Sequence, residues 1–134
     1  MLENELIVAY TNTNYKVFNP KFVIKVGQTN PELNKLLEET GNVHWAYITA
    51  FNPYSKELSL KENLLRQEEL LAIVKKHDIY IGHGVDEKEI WEPENSVLII
   101  GITATEAIKL GNKYEQNAIV LGSIYKKAIL KVLI

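Results

Sequence analysis

Cysteine is absent from this chain of 134 residues. Disulfides, thiolate zinc sites, iron–sulfur clusters and cysteine nucleophiles are thereby excluded, and a reducing cytoplasm is the expected compartment. An excess of one charge is also missing. Fifteen Lys and Arg stand against 17 Asp and Glu, for a net charge of -2. That balance lacks the basic face that a general grip on nucleic acid needs. The three histidines are scattered with no metal-ligand spacing, so no metal site is expected. No apolar run approaches the ~20 residues that span a bilayer. The opening stretch MLENELIVAY carries acids and no basic segment ahead of its apolar run, which does not fit a secretory leader. P-loop, nucleophile-elbow and metal-carboxylate motifs are missing. So is the Gly-rich strand-to-helix turn of a dinucleotide-binding sheet. No repeat, low-complexity tract or linker divides the chain, and residues 1–134 read as one domain.

What is present is an alternation of strand and helix signals. LIVAY (6–10) and YKVF (15–18) read as strands, and KFVIKVG (21–27), beyond Asn19-Pro20, is a third strand or the continuation of the second across a bulge. Asn30 is an N-cap with Pro31 in the first helical position, and Gly41 is the stop. HWAYITAF (44–51) is a buried strand. Ser59 with Glu62 forms a capping box for a helix over about 60–76, whose stripe Leu60, Leu64, Gln67, Leu71 and Val74 is expected to face a sheet. DIYIGHG (78–84) is a strand, and 85–95 a polar loop. SVLIIGI (96–102) is apolar enough to be central. Thr103 and Glu106 cap a short helix ending near Gly111. NAIVLG (117–122) and KAILKVLI (127–134) are strands.

From 44 to 122 this order is that of a split βαβ, ferredoxin-like sandwich. The expected class is α+β, with a mostly antiparallel sheet and helices on one face. An N-terminal β-β-α extension and a C-terminal strand complete it. In this arrangement the 85–95 loop is expected at the opposite end of the sheet from the 52–59 loop.

The densest stretch is AYITAFNPYSKELSLKENLLRQEELL (46–71). Arg66 stands within two turns of a helix N-terminus, where the macrodipole disfavours a cation and favours an anion. Ser59, Asn63 and Arg66 share a flank of that helix. Thr49, Asn52 and Ser55 reach the same end. Two partners fit the arginine: an internal carboxylate, Glu62 at i,i+4 or else Glu69 or Glu94, or a bound phosphate or carboxylate. Trp91 is either an aromatic wall for a ring or a lid holding its loop. Gln116 and Asn117 read a base edge or tie off backbone. His83, between Gly82 and Gly84, is a general base or a surface turn residue.

Four blocks carry a family resemblance. They are WAYITAFNPYSKELS (45–59), ENLLRQEEL (62–70), WEPENSVLIIGI (91–102) and AIKLGNKYEQNAIV (107–120). Together they resemble the small bacterial proteins grouped as domain of unknown function 3293, over about residues 10 to 122. The resemblance implies that Thr49, Asn52, Ser55, Asn63, Arg66, Trp91, Glu94, Ser96, Gln116 and Asn117 fall on family motif positions. Phe51 stands where the family has tryptophan, and Asn95 where it has proline. No activity and no cofactor follow from it.

The expected function is binding of a small anionic, phosphate- or nucleotide-like ligand near the 52–66 loop and helix start. Thr49, Asn52, Ser55, Asn63, Arg66, Trp91, Glu94 and Gln116 are the candidate residues. The alternative is a protein-interaction module or homodimer that pairs through the terminal strand 127–134 without catalysis.

Overall fold

Side-chain caps set the helix starts. In the computed structural model, described for residues 3–134, the Asn30 side chain accepts from the Leu33 amide and Gly41 closes α2 (Pro31–Thr40) at φ 70°. Ser59 accepts from the Glu62 amide at the start of α3 (Leu60–Val74). Thr103 accepts from Glu106 at the start of α4 (Ala104–Lys113). Each such cap satisfies an orphan donor and contributes about 1 kcal/mol.

The strand expected at 6–10 is instead helical, within α1 (Asn4–Asn12). Short apolar runs do not distinguish strand from helix by composition. Here Leu6, Ala9 and Tyr10, at helical spacing, turn together toward one cavity. Thr11 and Thr13 donate back to the Ile7 and Ala9 carbonyls.

The strands are β1 (Asn14–Val17), β2 (Phe22–Ile24), β3 (His44–Thr49), β4 (Asp78–Val85), β5 (Glu94–Ile100), β6 (Ala118–Ser123) and β7 (Ile129–Val132). They form a seven-stranded sheet in the order β2-β1-β4-β5-β3-β6-β7, with antiparallel neighbours throughout. β5 is the middle strand, and Val97, Leu98 and Ile99 have no exposed surface. This accounts for its unbroken apolar run, since both of its faces are covered.

Helices lie on both faces, not one. α3 and α4 pack against Ala46, Ile48, Val97, Ile99 and Ile119. Leu33, Leu36 and Leu37 of α2 pack on the other side against Trp45, Leu98, Ile100 and Val120. That second cluster, with its partly buried neighbours, draws side chains from all seven strands, which requires that face to be concave. The sheet's two edges meet accordingly: Val26 bridges Ala128, with Gly27 N to Ala128 O at 2.8 Å and Ala128 N to Gln28 O at 3.0 Å. α2 fills the end of the concave face where β3 begins, tied there by Asn34 Oδ1, which accepts from the Tyr125 amide. The end where β5 begins is left unfilled.

α3 is rotated from its expected orientation. Leu60 is 66% exposed and Leu64 41%, while Asn63, Gln67, Leu70 and Val74 are buried. The inward amides accept from main chain that has left the sheet. Gln67 Oε1 takes the Ala50 N–H at 2.9 Å, and Asn63 Oδ1 takes that of Asn52 at 2.9 Å. A buried N–H without a partner costs about 1–3 kcal/mol, enough to outweigh partial exposure of a leucine.

β1 and β4 approach closely at Gly82, where a Cβ would overlap the Lys16 carbonyl, the acceptor of the Tyr47 hydroxyl. Gly82→Ala is therefore expected to destabilise the protein by about 3 kcal/mol, in the range of severe backbone lesions. Urea denaturation measures it, and an unchanged midpoint would contradict this packing.

Candidate functional site

The unfilled end of the concave face holds a cavity of about 470 Å³. Its floor is Tyr47, Val120 and Leu130 of the sheet, and α1 walls it through Leu6, Ala9 and Tyr10. The loops after β3 and before β5 form its mouth, and both lie at one end of the sheet. The expectation that they lie at opposite ends is corrected by the register: β3 and β5 are antiparallel neighbours with Thr49 opposite Ser96. The end of one strand is thus beside the start of the other.

Thr49, Asn52, Ser55, Trp91, Glu94 and Gln116 all line this cavity. Asn63 and Arg66 do not. Asn63 stands behind Asn52 and orients it. Asn52 has left-handed backbone geometry, φ 48°, which asparagine tolerates better than most residues. Its Oδ1 accepts from Asn63 Nδ2 at 2.8 Å and from the Leu58 amide at 3.1 Å. Its Nδ2 is thereby aimed at Glu94 Oε2, 2.8 Å away. Burial pushes the Glu94 carboxyl above its ordinary range, and the Asn52 bond only partly opposes this.

Ser55 is held by Asn117 Nδ2, which donates to its hydroxyl at 2.9 Å, and by Tyr10 Oη at 3.2 Å. Tyr54 and Ser55 both have positive φ, 51° and 63°. This rim is therefore strained, by a kcal/mol or more for each residue on the order expected of such conformations. Thr49 Oγ1 donates to Asn95 O at 2.6 Å, and Gln116 Nε2 donates to Phe51 O and Tyr114 O. Trp91 is 64% exposed. Its amide and that of Ile90 both donate to the Asp86 carboxylate, and the Trp91 bond does most to lower the Asp86 pKa.

Arg66 is held by main chain. Nε donates to Ala50 O at 2.8 Å and an Nη to Tyr114 O at 2.6 Å, with the guanidinium 5.7 Å from the Tyr114 ring. Glu115 approaches at 3.8 Å. Glu62 accepts from Ser59, and Glu69 pairs with Tyr114 and Lys113. Two carbonyl acceptors thus offset the arginine's position near a helix start. His83 packs edge-on to Phe18, away from the cavity.

Strand patterning accounts for Tyr15 and Tyr47 as core residues without marking them as cavity lining. Tyr15 donates to Tyr10 O at 2.5 Å and Tyr47 to Lys16 O at 2.6 Å. Burial pushes both phenols upward. Their two-residue spacing from Val17 and Trp45 shows which sheet face they share, but no local signal shows that this face is concave. Among the described residues no cluster of His, Asp and Glu could hold a metal, and no helix is long and apolar enough to cross a membrane.

Arg66→Ala should lower stability by about 2 kcal/mol, the scale of hydrogen bonds to a charged group. A urea midpoint indistinguishable from wild type would show that the two carbonyls are satisfied without it. Glu94→Gln should raise the thermal midpoint at pH 7. A carboxyl whose folded pKa is raised loses stability as pH climbs through its unfolded and then its folded pKa. The gain should shrink as pH falls toward the unfolded value. A gain that is constant with pH would contradict the burial of the charge.

No curated protein and no solved structure matches the chain. The family described as "Protein of unknown function (DUF3293)" matches residues 48–119, more than half of the sequence. The matched segment runs from β3 to β6 and carries the Asn52–Asn63–Glu94 arrangement, and the chain belongs to that family.

Proposed function

We propose that this protein is a small-molecule-binding domain whose site is the cavity at the open end of the concave face. The observation that carries this is the state of Glu94. One oxygen is fixed by Asn52, and the other has no hydrogen-bond partner among the described residues. It is not among the fully buried unsatisfied atoms, so it is open to the cavity. A half-buried carboxylate is costly unless something uses it. The cavity volume lies in the usual range for small-ligand sites.

The reading places the ligand beside Asn52 and Glu94, with Thr49, Ser55, Trp91 and Gln116 around it. An anionic ligand at the α3 flank has less support, because the Arg66 guanidinium is already donating to two carbonyls. Binding is favoured over catalysis, since no second titratable side chain is hydrogen-bonded to Glu94 among the described residues. Pairing through the terminal strand has weaker support too, because Ala128 at its start already bridges Val26. We further infer that β3, α3, β4, β5, α4 and β6, with strands ordered β4-β5-β3-β6, form a ferredoxin-like split βαβ unit.

Amide NMR spectra recorded against a fragment set of amines, alcohols, sugars, carboxylates and phosphates test the location. Binders should shift resonances of Thr49, Glu94, Ser96 and Gln116. Shifts confined to the Arg66 flank of α3, or none across the set, would overturn the proposal.

A further inference from the structure

The chemistry of the cavity lining selects the charge of its ligand. We propose that the site takes an organic cation, a primary ammonium carried on an aromatic or apolar body. This inference rests on the cavity being the binding site.

The first observation is charge. Among the described residues four carboxylates line the cavity, Glu57, Asp86, Glu92 and Glu94, and no lysine, arginine or histidine does. A phosphate or carboxylate ligand would meet like charges with no cation to offset them.

The second observation is the direction of the hydrogen bonds. The lining side chains direct most of their donors into the protein. The Tyr15 and Tyr47 hydroxyls donate to the Tyr10 and Lys16 carbonyls. The Thr49 and Ser96 hydroxyls donate to the Asn95 and Glu94 carbonyls. The Gln116 amide nitrogen donates to two carbonyls, at 2.9 and 3.1 Å. Asn52 turns its Nδ2 to Glu94. What these groups leave for a ligand is acceptors: the second Glu94 oxygen, the Gln116 carbonyl, and lone pairs on Tyr15, Tyr47 and Ser96. The side-chain donors left over are one hydroxyl hydrogen of the Tyr10–Ser55 pair, one on the Asn52 amide and the Trp91 indole N–H. These belong to exposed or half-buried residues. An ammonium group has three donors and no acceptor, the complement of such a lining.

The third observation is aromatic. Tyr10, Tyr15, Tyr47, Phe51 and Trp91 contribute to the same walls. Ring faces attract a cation, more strongly when it is desolvated, and the rings also bury an apolar body. Charge, hydrogen-bond direction and ring content are independent, and all three favour the same ligand class.

The test uses matched compounds that differ only in head group, titrated against the full chain and followed by amide NMR. One series is tyramine, tyrosol and para-hydroxyphenylacetate; the other is tryptamine, tryptophol and indole-acetate. The amine should bind about tenfold or more tightly than the alcohol, the fold-change expected of a charge-assisted hydrogen bond, and the acid should bind most weakly. Glu94→Gln, which preserves side-chain shape, should remove the amine's advantage over the alcohol. If alcohols or acids bind the cavity as well as amines, the charge inference is overturned while the cavity reading stands. If the amine's advantage survives in Glu94→Gln, Glu94 is not its anchor and the inference is likewise overturned. If no member of either series shifts cavity resonances at millimolar concentration while the fragment set reports binding at the Arg66 flank, both readings are lost.

Discussion

The side-chain amide of Asn52 connects the parts that make the site. Its oxygen accepts from the Leu58 amide and the Asn63 side-chain amide, and its nitrogen donates to Glu94. One planar group thus joins the loop after β3, the first turn of α3 and the first residue of β5. Because donor and acceptor ends of an amide are distinct, the Asn63 and Leu58 bonds fix which end faces the cavity. Glu94 is held by that choice. The same polarity explains why Asn63 and Gln67 displace leucines from the inner side of α3.

A half-buried carboxylate at this position is a cost to the fold. The residues around it do not neutralise it: among the described residues no lysine, arginine or histidine enters the cavity lining, and the bond to it comes from a neutral amide. The nearby strained rim, with Tyr54 and Ser55 in left-handed geometry, is a second local cost of the same kind. These costs are concentrated at one mouth, while the core strands are fully buried, and local strain of this kind clusters where a fold is shaped by something other than stability.

Much of this was legible in the residues. The three capped helices and the central position of β5 follow from capping patterns and apolar runs, whereas the meeting of Trp91 and Glu94 with Thr49, Asn52 and Ser55 at one end of the sheet depends on the β3–β5 register. The failures have particular causes. LIVAY has strand composition, and only its packing over the cavity makes Leu6, Ala9 and Tyr10 a helical face. Hydrophobicity marks the leucine stripe of α3, whereas the main-chain donors of Ala50 and Asn52 decide which of its residues are buried. Arg66 looked unsatisfied because its acceptors are carbonyls of Ala50 and Tyr114, which leave no mark in the sequence. The curl that turns a flat face into a cavity depends on Val26 meeting Ala128, a contact no local pattern encodes.

That contact also orders events in time. The residues that close the ring come from near the two ends of the described chain, so closure waits until the last strand has been synthesised. Until then the concave surface, with Tyr15, Tyr47 and Val120, has no wall on the β7 side and stands open to water or to other chains. That side of the concave face is therefore completed by a contact of long sequence separation, whose loop closure costs more entropy than the pairing of neighbouring strands.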